Sequence, residues 1–129
     1  MINIKEKEYS YSESDVINFA EGLIGLPEMR KAVLLPMSDY EPFYWLASLE
    51  SEGNRFVVVN PHQIFTGYDV SEATKADLTT LAIVKISSDW NKTTINLRAP
   101  LFIDPETKAG KQVVLNRSEY LFAESLPQE

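Results

Sequence analysis

Apolar and polar residues alternate along much of this chain, most clearly in Thr94-Ile95-Asn96-Leu97-Arg98-Ala99-Pro100-Leu101-Phe102-Ile103. Ile95, Leu97, Ala99, Leu101 and Ile103 are apolar, while Thr94, Asn96, Arg98 and Pro100 stand between them. Successive strand side chains point to opposite faces, so the pattern predicts a strand with one core face and one displayed face. Pro100 has no N–H to give a ladder, which places it at a sheet edge or a bulge. Two readings stand for the displayed face. It is a recognition edge carrying Asn96 and Arg98, or the solvated side of an ordinary half-buried strand.

The same alternation predicts a first strand over residues 2–9 and a short second one over residues 15–19. Gly22, Gly25 and Pro27 exclude regular strand from residues 22–28. They predict a tight loop whose apolar residues rest on the body and which leads into a helical turn at residues 27–30. Lys31-Ala32-Val33-Leu34-Leu35-Pro36 reads as a strand stopped by its proline. Residues 42–50 and 55–61 read as hairpin partners around the turn Ser51-Glu52-Gly53-Asn54. Phe56, Val57, Val58 and Val59 are apolar on both faces, which marks a central strand.

Beyond it the pattern predicts a strand over residues 63–70 and a loop with a turn or two of helix over residues 71–80. Strands over residues 81–87 and 111–116 flank the 94–103 strand, and a polar loop spans residues 104–110. Part of the tail from Tyr120, with Leu121, Phe122 and Leu126, is expected to dock. About eight short strands joined by Gly, Pro and Asn turns predict an all-β fold. The expected form is a small antiparallel β-barrel-like roll with one or two short helical turns, closed so that its edges are hidden. The 129 residues suit one domain, 1–129.

Composition narrows the function classes. Hydrophobic content of 44% and charged content of 24% are ordinary for a globular protein. The longest apolar run, residues 43–47, is far short of the ~18 residues of a membrane span. No apolar stretch follows Met1 as a secretory signal would require, so a cytoplasmic protein away from the membrane is expected. Twelve basic against nineteen acidic residues give a charge of −7, which disfavours direct nucleic-acid binding and suits a basic partner. Residues 1–28 sum to −4 and residues 85–117 to +3, so the charge is unevenly spread.

With no cysteine there is no thiol nucleophile, disulfide or thiolate metal site. His62 is the sole histidine, and no metal-binding, phosphate-loop or GxSxG pattern accompanies it. A surface imidazole is the expected role, and neither a metal nor a cofactor is expected. Tyr44 and Tyr68 flank polar stretches and are candidate interface anchors. Two other classes stay open: a small-molecule-binding β-roll with a pocket at Trp45, and a His62-dependent hydrolase.

Several stretches, in order, resemble the flagellar assembly factor FliW family of bacteria. They are Phe19-Ala20-Glu21-Gly22-Leu23-Ile24-Gly25-Leu26-Pro27-Glu28, Pro42-Phe43-Tyr44-Trp45-Leu46 and Phe56-Val57-Val58-Val59-Asn60-Pro61. Tyr68, Asn96-Leu97-Arg98-Ala99-Pro100 and Gly110-Lys111-Gln112-Val113 complete the set, which spans roughly residues 15 to 120. The resemblance implies a non-enzymatic cytoplasmic protein of small β-barrel-like fold, expected to be a monomer. It implies two protein partners: flagellin, and CsrA, a small dimeric RNA-binding repressor of flagellin translation. Freed of flagellin, such a protein captures CsrA away from its RNA groove, antagonises it noncompetitively and relieves repression. Asn96, Arg98, Pro100, Asn60, Tyr68 and Tyr44 are the expected partner-binding residues.

Overall fold

A computed structural model describes residues 2–5, 7–51, 53–74 and 77–127. Its strands are β1 (Ile2–Ile4), β2 (Lys7–Tyr9), β3 (Ile17–Phe19), β4 (Lys31–Pro36), β5 (Tyr44–Ser48) and β6 (Arg55–Val59). They continue with β7 (Thr79–Lys85), β8 (Thr94–Ile95), β9 (Leu101–Ile103), β10 (Ala109–Gln112) and β11 (Glu124–Ser125). Single helical turns of the 3-10 type lie at Glu13–Asp15, Pro61–Gln63 and Trp90–Lys92.

Strands β7, β6, β5, β4, β3, β10 and β9 pair in that order, and β9 returns to β7, closing a barrel. Six of these seven contacts are antiparallel, and β3–β10 is parallel. An odd ring cannot alternate strand direction all the way round. One parallel pair is therefore a geometric necessity, and β3–β10 is where the strand directions depart from the antiparallel roll expected. β8 and β11 extend the sheet from the far end of β7.

Period-two patterning sorts the side chains into three layers. Ile17, Phe19, Leu46, Val58, Leu81, Leu101 and Ile103 fill the barrel, joined by Leu23 and Met29 from the 22–29 loop. Val57, Val59, Ala82, Val84 and Ile95 face outward and are covered by Ile64, Phe65, Tyr68, Leu115 and Leu126. Val33, Leu35 and Ala47 also face outward and lie beneath Ile2, Ile4 and Tyr9 of the β1–β2 hairpin. This explains why β6 is apolar on both faces: one meets the barrel interior, the other an outer layer. Trp45 is half-buried between the two outer layers, with Lys5 and Arg55 cations 5.9 and 5.4 Å from its ring centre.

Several expected elements change. Residues 2–9 make a hairpin instead of one strand, with Lys5 at φ 50 beside the Ile4–Lys7 pair; Glu6 lies outside the described residues. Residues 63–70 form no strand, because Asn60 accepts the His62 N–H at 2.9 Å and Pro61 starts a helical turn that redirects the chain. Residues 27–30 turn without forming a helix. The final barrel strand ends at Gln112, as Val113 and Leu115 bond instead to Pro100 and Arg98. A single turn at residues 70–74 answers the helical expectation for residues 71–80, of which Lys75 and Ala76 lie outside the described residues, as does Glu52 of the 51–54 turn.

Candidate functional site

The predicted strand over residues 94–103 is two strands with a bend between them. Ile95, Leu97, Ala99, Leu101 and Ile103 are all buried as the alternation requires, but residues 96–100 leave the ladder. The Asn96 N–H makes the last link toward β7, donating to the Ile83 carbonyl at 2.8 Å. Its side chain then stabilises the bend, Oδ1 accepting from the N–H of Arg98 at 3.1 Å and of Ala99 at 2.9 Å. Asparagine suits this position because its short amide reaches backbone donors two and three residues on. Pro100 is buried at the break, where no ladder needs its missing N–H, and its carbonyl accepts from Val113 at 3.1 Å.

This bend ties distant segments together. The Tyr68 hydroxyl donates to the Leu97 carbonyl at 2.6 Å, and the Leu97 N–H donates to the Leu121 carbonyl at 3.0 Å. Gln112 donates to the Ala99 carbonyl at 3.0 Å and accepts the Ile24 N–H at 2.8 Å. Arg98 is clamped by Leu115: its carbonyl accepts the Leu115 N–H at 2.7 Å, and its Nε donates to the Leu115 carbonyl at 2.6 Å. The guanidinium carbon lies 5.6 Å from the Phe122 ring centre. Among the described residues its terminal nitrogens have no hydrogen-bond or ion-pair partner.

Tyr68 is buried against Tyr120, ring centres 4.8 Å apart, and burial followed by the neighbouring phenol pushes its ionisation far above the ordinary tyrosine range. Beside it the Tyr120 oxygen accepts the Asp69 N–H at 2.8 Å. Bonds from Ser71, then from Arg117 at 2.9 Å, pull the Asp69 carboxyl down to about 2. Arg117 also pairs with Glu119 at 2.9 Å, so its charge is answered twice.

Of the six residues expected to meet partners, Asn96, Arg98, Pro100 and Tyr68 converge on this bend. Asn60 caps the helical turn at Pro61–Gln63, and Tyr44 is exposed at the start of β5. Of the tail expected to dock, Leu126 is buried, whereas Leu121 and Phe122 stay exposed and form, with Val114, an apolar margin that sequence reasoning missed. Val114, Leu121 and Phe122 are 50%, 48% and 56% exposed, and each adjoins a residue bonded to the bend or contacts Arg98 itself. Val114 stands next to buried Leu115, and strand-like alternation beyond the last ladder pair was the available signal.

The other classes find less support. The groove beside Trp45, lined by Ile4, Tyr9, Met37 and Tyr40 among others, is open and about 240 Å³. His62 is exposed, 5.4 Å from the Tyr68 ring centre, and no described Asp, Glu or Ser side chain is hydrogen-bonded to its ring. Among the described residues no cluster of His, Asp and Glu is placed to hold a metal ion.

These features define a small closed β-barrel, clothed on two outer faces, whose distinctive chemistry lies on an open surface. The sequence matches the family model described as FliW protein over residues 3–126, and the chain belongs to that family. It is 33% identical to a flagellar assembly factor FliW of Clostridium botulinum strain Hall over 92% of this chain and 90% of the relative. A flagellar assembly factor FliW of Clostridium beijerinckii is 29% identical, with 92% of each chain covered. The crystal structure of a flagellar assembly factor FliW superposes with a TM-score of 0.84 at 25% identity, covering all of this chain and 98% of that one.

Proposed function

We propose that this protein acts in flagellar assembly by switching between two protein partners in the cytoplasm, flagellin and CsrA. The observation that carries the reading is membership of the FliW family along nearly the whole chain, with relatives described as flagellar assembly factors. While it holds flagellin it leaves CsrA free to repress; once flagellin departs it captures CsrA and relieves repression. Arg98 and Tyr44 offer side chains to a partner, whereas Asn96, Pro100, Asn60 and Tyr68 shape the surface beneath.

Noncompetitive antagonism fits the way the carboxylates are used. Asp15, Glu50, Asp69, Asp104 and Glu119 all have lowered pKa values, chiefly because they accept bonds from their own chain's donors. These five of the nineteen acidic residues are engaged by their own chain, and the sequence holds no block of like charges that would follow RNA phosphates. Binding away from the RNA groove gives a ternary complex of reduced affinity, and linkage requires RNA to weaken this protein's hold on CsrA by the same factor. Measured against rising concentrations of this protein, the RNA affinity of CsrA should fall and then saturate at about 5–150-fold. A fall that never saturates, with no ternary species, would replace this mechanism with RNA mimicry.

A further inference from the structure

We infer that Arg98 is a preset reader of an acidic side chain on flagellin, with the apolar margin of Val114, Leu121 and Phe122 seating the apolar residues beside that acid. The inference rests on the reading of flagellin as a partner and specifies how it is held. Three observations combine. First, the guanidinium is fixed before any partner arrives, by the 2.6 Å bond from Nε to the Leu115 carbonyl and by the Phe122 ring 5.6 Å away. A planar donor fork held in place loses little further freedom on binding, and its free edge matches the two oxygens of a carboxylate.

Second, that edge makes no hydrogen bond or ion pair among the described residues. The nearby Glu119 carboxylate feels the Arg98 charge, yet it bonds to Arg117 at 2.9 Å, and Asp69 does likewise. On a chain of charge −7, a half-buried cation without an ion-pair partner among the described residues is complementary to an anion from outside. Third, Phe122, whose ring faces the guanidinium, Leu121, whose carbonyl accepts the Arg98 N–H at 3.2 Å, and Val114, next in chain to Leu115, are all exposed, so the anion sits near apolar groups. A protein segment supplies both. Nucleic acid supplies phosphate, but a net acidic surface opposes its approach.

Because Arg98 also clamps Leu115, the test adds to Arg98→Lys two residues whose side chains take no part in that bond, Val114 and Phe122. Purified monomeric flagellin is titrated into the wild-type protein and into Val114→Asp, Phe122→Ala and Arg98→Lys, with thermal unfolding of each recorded alongside. Val114→Asp puts an anion on the residue next to Leu115, whose carbonyl holds the Arg98 Nε, and should weaken binding about tenfold or more with unfolding unchanged. Arg98→Lys, which keeps the charge but loses the fork, should weaken it several-fold, and higher ionic strength should weaken wild type more than Val114→Asp. Undiminished binding by Val114→Asp and Phe122→Ala would overturn the inference while leaving flagellin a partner through another surface. No binding by the wild type would overturn both. Arg98-dependent binding of a short single-stranded RNA in place of flagellin would overturn it in favour of a phosphate site.

Discussion

Phe19→Ala is expected to destabilise the fold by about 3–5 kcal/mol, the range for emptying a buried phenylalanine site. Phe19 is fully buried inside the barrel and lies on β3, at the parallel pair of the ring. Its partner across that pair is Gly110, where an added Cβ would stand 2.6 Å from the Phe19 ring. A large side chain and an absent one are thus fitted together at the seam. Filling cannot come from the neighbours, because the strands on both sides are held by ladders, so the cavity persists. Urea unfolding should show the midpoint falling with little change in slope. Adding Gly110→Ala should destabilise wild type yet cost clearly less in the Phe19→Ala background, since the clash with the ring is then gone and only the 3.0 Å approach to the Ile17 methyl remains. A loss below about 1.5 kcal/mol for Phe19→Ala would mean that the seam relaxes and is not rigidly packed.

Gly22→Ala is expected to cost about 2–5 kcal/mol, from left-handed backbone strain of about 1–2 and an overpacking term of about 1–3. Gly22 sits at φ 68, and a Cβ there would collide with the Pro27 backbone. The loop folds back through paired bonds between Leu23 and Leu26, at 3.0 and 2.9 Å, which carries Pro27 over Gly22. Leu23 and Met29 are thereby delivered to the barrel core, and Ile24 N–H to Gln112. Displacing this loop therefore disturbs the 96–100 bend, because Gln112 also holds the Ala99 carbonyl. Circular dichroism melts and urea curves measure the effect. A cost under about 1 kcal/mol would show that the loop accommodates a methyl group without shifting Pro27.

Much of the barrel is legible in the alternation of apolar residues. Leu101 and Ile103 announce an inward face, and Ser51, Gly53 and Asn54 mark the turn between β5 and β6. In β5, however, the wholly apolar face with Phe43, Trp45 and Ala47 packs under the outer layers, while Leu46 of the other face fills the barrel. What local pattern does not carry is what a residue bonds to at long range. Lys5 has no glycine or asparagine signal for its positive φ, so the first hairpin reads as one strand. Phe65 and Tyr68 look strand-like because they are apolar, yet they cover the barrel from outside on irregular backbone. The candidate site was legible in its residues and not in its wiring. Asn96 and Arg98 read as polar positions of a displayed face. The Asn96 oxygen instead serves the bend's own backbone, and the Arg98 Nε bonds a carbonyl seventeen positions on. Only the outer edge of the guanidinium remains for another molecule, and nothing in the alternation separates one nitrogen from the next.

Partner switching is tested most directly by competition. Preformed complex of this protein with CsrA is challenged with increasing monomeric flagellin, and free CsrA is followed both by its separation from the complex and by its regained affinity for RNA. Flagellin should release CsrA progressively until none remains bound, with RNA affinity returning in step. Simultaneous, independent binding of flagellin and CsrA, with RNA affinity still reduced at saturating flagellin, would contradict it.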